Sequence, residues 1–405
     1  MNFAFPSNVT TPTPFKIAVD PNFIERTKQK VRLYRPEITL PDLPEWEEGP
    51  PPKEINELAR YWAEEYDWAA VQAEFNTEFS HFVTTVPEAG SYKHPVPIHF
   101  IHERASDSKG DNSNDPIPLL ILHGWPSTNL EWSKVIHPLA HPSGESTPRF
   151  HVVAPDLPGY GFSPAATHTG LGVREIGLAF DALMKQLGYS KYAIFSTDVG
   201  WIIGMWMTAD TGSIMAHATD FFSVFPNTTD LERLARNKTT AEETAYMLAA
   251  QEFQTSHYAY ANVHGTKPLS AALAMTDSPV GFLAWIHTVI GAVSDGYVYS
   301  KAELITIAMG LYVQGTYASM RLYKDMMAQG FGFPKTEVPT AVIEWSYSKG
   351  PYPKLYATQL VPRSWAERVA NVTFFRRHDF GGHFPAISQP EIWLQDVRDF
   401  FAQTL

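Results

Sequence analysis

Three short apolar runs constrain this chain more than anything else in it: Pro118-Leu119-Leu120-Ile121-Leu122, Phe150-His151-Val152-Val153-Ala154 and Tyr192-Ala193-Ile194-Phe195. Each ends in a turn signal and is followed by a helical stretch. Strands buried on both faces read as continuous apolar runs, and parallel neighbours need a long crossover between them. The alternation therefore predicts an α/β fold with a mostly parallel, doubly wound central sheet. The run Thr219 to Phe225 continues the pattern, Thr340-Ala341-Val342-Ile343 resumes it, and residues between Pro226 and Pro334 carry mostly helical periodicity. Such an insertion has the shape of a helical cap over a catalytic face. Ahead of the core lies an aromatic region with Trp46, Tyr61, Trp62, Tyr66 and Trp68, then an alternating strand from Val96 to His102 and a polar loop from Ala105 to Asp115. The expected division is an N-terminal region 1–110, a first core part 111–225, a cap 226–334 and a second core part 335–405.

Composition narrows the chemistry. With no cysteine in 405 residues, disulfides, thiolate catalysis and cysteine-ligated metals are excluded. A formal charge of −12 without basic runs argues against nucleic acid and anionic membranes as partners. Met1 to Pro14 has no signal-like apolar run, and nothing approaches the ~20 apolar residues of a membrane span. A soluble cytoplasmic enzyme acting on a small molecule is expected, with peripheral membrane association left open.

The segment Phe195-Ser196-Thr197-Asp198-Val199-Gly200-Trp201 runs from a buried strand through a small-x-Asp-x-small turn into an apolar helix. This is the pattern of a nucleophile elbow, with Asp198 where a serine would stand. Ser196 and Gly200 must be small for so sharp a turn, and the helix start stabilises a carboxylate. An isolated Asp-x-Gly is more often a helix cap, so the surrounding motifs decide. His123-Gly124-Trp125-Pro126 follows an earlier strand and offers the Trp125 N–H as an oxyanion donor, with the Val199 N–H as the second. Near the C-terminus, Gly381-Gly382-His383-Phe384-Pro385 presents an imidazole on a glycine-rich loop, in the order nucleophile then histidine. Asp156-Leu157-Pro158-Gly159 reads as a structural turn.

Together these motifs resemble the microsomal-type and fungal epoxide hydrolases, and the likeness runs through nearly the whole chain. The aromatic N-terminal region is similar to that family's meander domain. Tyr260-Ala261-Asn262-Val263-His264-Gly265, Ser278-Pro279-Val280-Gly281 and Met320-Arg321-Leu322-Tyr323 are similar to its cap segments. The resemblance implies an α/β-hydrolase fold with no cofactor and no metal, a small apolar epoxide as substrate, and a homodimer. It makes Tyr260 and Tyr323 the cap tyrosines that polarise the epoxide, although Tyr258, Tyr312 and Tyr317 lie on the same stretches. It further implies that Asp198 opens the epoxide to an ester, and that water activated by His383 releases a vicinal diol.

One position departs from the family. Where an acid should orient the histidine, an ungapped alignment from Val338-Pro339-Thr340 places Ser348. Glu344 is the first replacement considered, with Asp220 and Asp379 behind it. The gap leaves two further readings: an epoxide-opening, cyclising or lactone-forming enzyme on the same fold, and a non-catalytic ligand-binding homologue. Val199, where dehalogenases carry tryptophan, argues against dehalogenation.

Overall fold

The computed structural model describes residues 2–6, 9–105, 115–144 and 147–405. Most of the polar segment Ala105 to Asp115 lies outside the described residues. Among the described residues nine strands form one sheet: β1 (Thr13–Pro14), β2 (His81–Val86), β3 (Val96–Glu103), β4 (Ile117–Leu122), β5 (Phe150–Pro155), β6 (Tyr192–Ser196), β7 (Ile214–Thr219), β8 (Pro339–Ser346) and β9 (Asn371–Gly381). Their spatial order is β1-β2-β3-β5-β4-β6-β7-β8-β9. From β5 through β9 every pairing is parallel, while β1, β2 and β3 add on antiparallel.

The apolar runs occupy the middle of this sheet because both of its faces are covered. Leu119, Leu120, Ile121, Leu122 and Ala193 through Phe195 are all fully buried. Helices α1 (Pro21–Arg32), α2 (Pro52–Glu64) and α3 (Trp68–Glu78) precede β2, α4 (Ile136–Ala140) and α5 (Val173–Gln186) flank β5, and α6 (Asp198–Asp210) follows β6. The run Thr219 to Phe225 is not the strand itself. The strand ends at Thr219, and the apolar residues after it lead out of the sheet towards the site.

Between β7 and β8 seven α-helices intervene: α7 (Thr228–Ala235), α8 (Ala241–Glu252), α9 (Ala259–Thr266), α10 (Pro268–Asp277), α11 (Pro279–Val293), α12 (Lys301–Tyr312) and α13 (Thr316–Gln329). Capping boxes at Asn227/Asp230, Thr240/Glu243 and Ser300/Glu303 satisfy the first N–H groups of α7, α8 and α12. Short α14 (Arg363–Ala366) and α15 (Pro385–Ser388) precede the terminal α16 (Pro390–Thr404). The aromatic N-terminal region grips the cap: the Tyr66 hydroxyl meets Thr306 Oγ1 at 2.9 Å, and Trp46 packs edge-on against His287. No described helix is long and apolar enough to cross a membrane.

Candidate active site

Strand β6 is buried at every position and turns at Thr197 straight into α6. Asp198 takes a left-handed backbone, φ 48°, which costs a non-glycine residue about 1–2 kcal/mol. The turn is possible because its neighbours are small. A Cβ on Gly200 would collide with the carbonyl oxygens of Leu122 and His123, and one on Gly124 would collide with the Asp198 carboxylate. Beneath the elbow the Ser196 hydroxyl meets His217 Nε2 at 2.6 Å, and the Thr197 N–H donates to the Leu122 carbonyl. Asp198 thus opens a helix, with its Oδ1 accepting the Trp125 N–H at 2.9 Å. That is the first of the two expected oxyanion donors. Val199 lines the same cavity, and no hydrogen bond from its N–H to Asp198 is formed in the described residues.

His383 arrives over Gly381 (φ 111°) and Gly382 (φ 74°), conformations that L side chains rarely adopt. A Cβ on Gly382 would press on the Val293 carbonyl at the end of α11. The Gly382 N–H donates to Ser346 and the His383 N–H to Val293, so the loop is held between β8 and the cap. His383 Nε2 comes to 3.7 Å from Asp198 Oδ2. Burial holds the imidazole below its usual pKa, and the Asp198 charge opposes that shift. A neutral imidazole is the form that can accept a proton.

From the cap, α9 supplies Tyr260 and α13 supplies Tyr323, their rings 6.1 Å apart. Tyr260 stacks on Trp125 at 5.0 Å, and Tyr323 meets the same indole edge-on at 6.0 Å. Burial raises both phenol pKa values. The Asp198 carboxylate adds to the rise at Tyr260, as do Tyr260 and Asp198 at Tyr323. Both phenols therefore stay protonated and remain donors. One cavity of about 730 Å³ collects Asp198, His383, Tyr260, Tyr323 and Trp125 on its wall, with otherwise mostly apolar side chains around them. Tyr258 also lines it, its ring 6.0 Å from Tyr260.

A family model described as the epoxide hydrolase N terminus matches residues 12–132, and one described as the alpha/beta hydrolase fold matches residues 117–235. The juvenile hormone epoxide hydrolase of Bombyx mori is 29% identical over 96% of this chain and 86% of its own length. Epoxide hydrolase 1 of Sus scrofa is 27% identical over 96% and 88%. The chain carries an epoxide hydrolase N-terminal region followed by an alpha/beta hydrolase fold, and it is similar to epoxide hydrolases along nearly its whole length. In fold, the epoxide hydrolase of Aspergillus niger superposes with a TM-score of 0.79 at 24% identity, covering 99% of both chains.

Against that family the histidine's missing acid stands out. Glu344 does not supply it. It sits within β8, directly opposite Arg377 in the register with β9, and its Oε2 accepts the Arg377 Nε at 2.6 Å. A side chain inside a strand points to one sheet face, and Glu344 is spent on its cross-strand neighbour instead of the loop bearing His383. Asp220 accepts the Trp393 indole N–H at 3.0 Å and is pushed up to about 7 by burial. Asp379 contributes its carbonyl to the Ser348 hydroxyl.

Two residues that the motifs do not point to complete the site. The Tyr347 hydroxyl lies 3.2 Å from His383 Nδ1. Asp295, at φ 51° just past α11, accepts the Lys349 N–H at 2.6 Å and the Gly381 N–H at 2.8 Å. It clasps the loop after β8 to the loop of the histidine. Tyr347 stands one residue before the vacant acid position, so a search of that loop for any hydrogen-bonding side chain would have found it. No sequence motif marks Asp295.

Proposed function

We propose that the protein hydrolyses a bulky apolar epoxide to a vicinal diol through an ester on Asp198. The observation that carries this reading is a carboxylate at a nucleophile elbow facing two buried, protonated phenols across one apolar cavity. Asp198 Oδ1 is engaged by the Trp125 N–H, which leaves Oδ2 to attack. A bond forms from Oδ2 to an epoxide carbon as that carbon's bond to the ring oxygen breaks. The ring oxygen takes the electron pair and receives a proton from Tyr260 or Tyr323, leaving a phenolate. His383 Nε2 then removes a proton from water, whose oxygen adds to the Asp198 carboxyl carbon, and the negative charge gathers on Oδ1 against the Trp125 and Val199 N–H groups. Collapse breaks the ester bond. The departing oxygen takes the proton from His383, and the new carboxylic proton returns to the phenolate. The sum is epoxide plus water to diol.

The cavity's size and apolar wall favour large hydrocarbon-like epoxides over small ones. A second reading draws on His383 Nδ1 having no carboxylate partner among the described residues: ring opening by a nucleophile within the substrate, giving a cyclised product. Product analysis with aryl, alkyl and terpenoid epoxides separates them. Vicinal diol supports hydrolysis, whereas cyclised or rearranged product without diol overturns it.

A further inference from the structure

The His383 imidazole has a hydrogen-bond partner at Nδ1, and it is a phenol. None of the carboxylates weighed for the triad acid reaches Nδ1. Glu344 pairs with Arg377, Asp220 with the Trp393 indole, and Asp295 with two backbone N–H groups. Among the described residues no carboxylate hydrogen-bonds to His383 Nδ1, and the Tyr347 hydroxyl reaches it at 3.2 Å.

Tyr347 is also built to stay there. Its side chain is 2% exposed and its N–H donates to the Tyr356 carbonyl, which the neighbouring Ser346 hydroxyl also engages. The Asp295 carboxylate ties Lys349, two residues after Tyr347, to Gly381, two residues before His383. Phenol and imidazole are therefore set relative to one another by a third group that touches neither ring.

We propose that Tyr347 takes the place of the triad carboxylate as the positioning residue of His383, accepting a hydrogen bond from Nδ1–H and so leaving the Nε2 lone pair aimed at the site of water attack. A phenol oxygen fixes the tautomer as a carboxylate does, because either accepts from Nδ1–H. What it lacks is charge. Tyr347 stays protonated, since burial and the charges of Asp198 and Asp220 all disfavour its anion. While Asp198 is ionised it can balance an imidazolium 3.7 Å away, but once Asp198 carries the ester that charge is gone. The histidine then works with the correct tautomer and without a counter-ion. Ester breakdown is the step this arrangement slows, so the ester accumulates in turnover.

The kinetic half of the test rests on the hydrolase reading; the spectroscopic half does not. In full-length protein labelled with ¹⁵N-histidine, two-bond ¹H–¹⁵N spectra report which nitrogen carries the proton, with His383 assigned by its loss in His383→Asn. The wild type is expected in the Nδ1–H form, and Tyr347→Phe is expected to convert a large share to Nε2–H. In single turnover, Tyr347→Phe should form the Asp198 ester at a rate within about twofold of wild type and break it down at least about tenfold more slowly; in serine proteases the wrong tautomer costs roughly 10⁴. A wild-type Nε2–H form overturns the proposal even if the variant does not fold. So does an unchanged tautomer or an unchanged breakdown rate in a folded variant. If the wild type forms no ester with any epoxide, the hydrolase reading fails, and the spectra still decide the role of Tyr347.

Discussion

Replacing Tyr260 with phenylalanine isolates one bond. The ring that stacks on Trp125 at 5.0 Å and 15° is retained, so packing changes little, and what leaves the cavity is a single O–H donor. A preorganised donor aimed at developing negative charge is worth about 2.7–4 kcal/mol, or roughly 10²–10³ in rate. Two phenols share the charge here, which places Tyr260→Phe and Tyr323→Phe each near the lower end, about 10². Removing both leaves an alkoxide to form against an apolar wall, and the double variant should lose more than either single one without the losses simply multiplying. The loss belongs to the first chemical step alone. Rapid-quench mass spectrometry of the Asp198 peptide follows ester formation and decay separately, and decay should stay within about threefold of wild type. Ester formation at the wild-type rate in both single variants, or a loss confined to ester decay, would refute the assignment of the phenols to the ring oxygen.

Two further outcomes follow from the elbow and the histidine. Gly200→Ala puts a methyl group onto the carbonyl oxygens of Leu122 and His123, and urea titration should find it destabilised by about 1–3 kcal/mol, while Gly212→Ala, with nothing within reach of its Cβ, stays within about 0.5 kcal/mol. Ester decay needs neutral His383, so its rate should rise with pH through that ionisation and then level off. Burial holds the ionisation below the ordinary 6.5, and esterifying Asp198 removes the one charge that raises it, moving the limb lower still. A pH profile of decay with its limb above pH 7 would contradict this.

The sheet was legible because its central strands are buried on both sides and so advertise themselves as apolar runs; β4, β5 and β6 lie where those runs are. Strand β7 was less so. Its buried positions include His217 and Thr219, polar residues kept inside by hydrogen bonds to Ser196, and the more conspicuous apolar stretch is the cavity wall that follows. In the site, Asp198, His383 and Trp125 were readable because tight turns force glycines around them. Tyr260 and Tyr323 came from resemblance, and the fold brings both rings to Trp125. The partner of His383 could not be read, because it depends on how two loops meet in space and on Asp295 holding them together. Glu344 looked eligible by residue type alone, and its cross-strand arginine appears only once the β8–β9 register is fixed.

On the proposed route water attacks the Asp198 carboxyl carbon and never the epoxide. A single turnover in H₂¹⁸O with enzyme in excess over a bulky apolar epoxide tests it directly. One ¹⁸O is expected in the Asp198 peptide and none in the first diol released. Label in the diol with none in the protein would mean that water opens the ring itself, and the ester mechanism would fall.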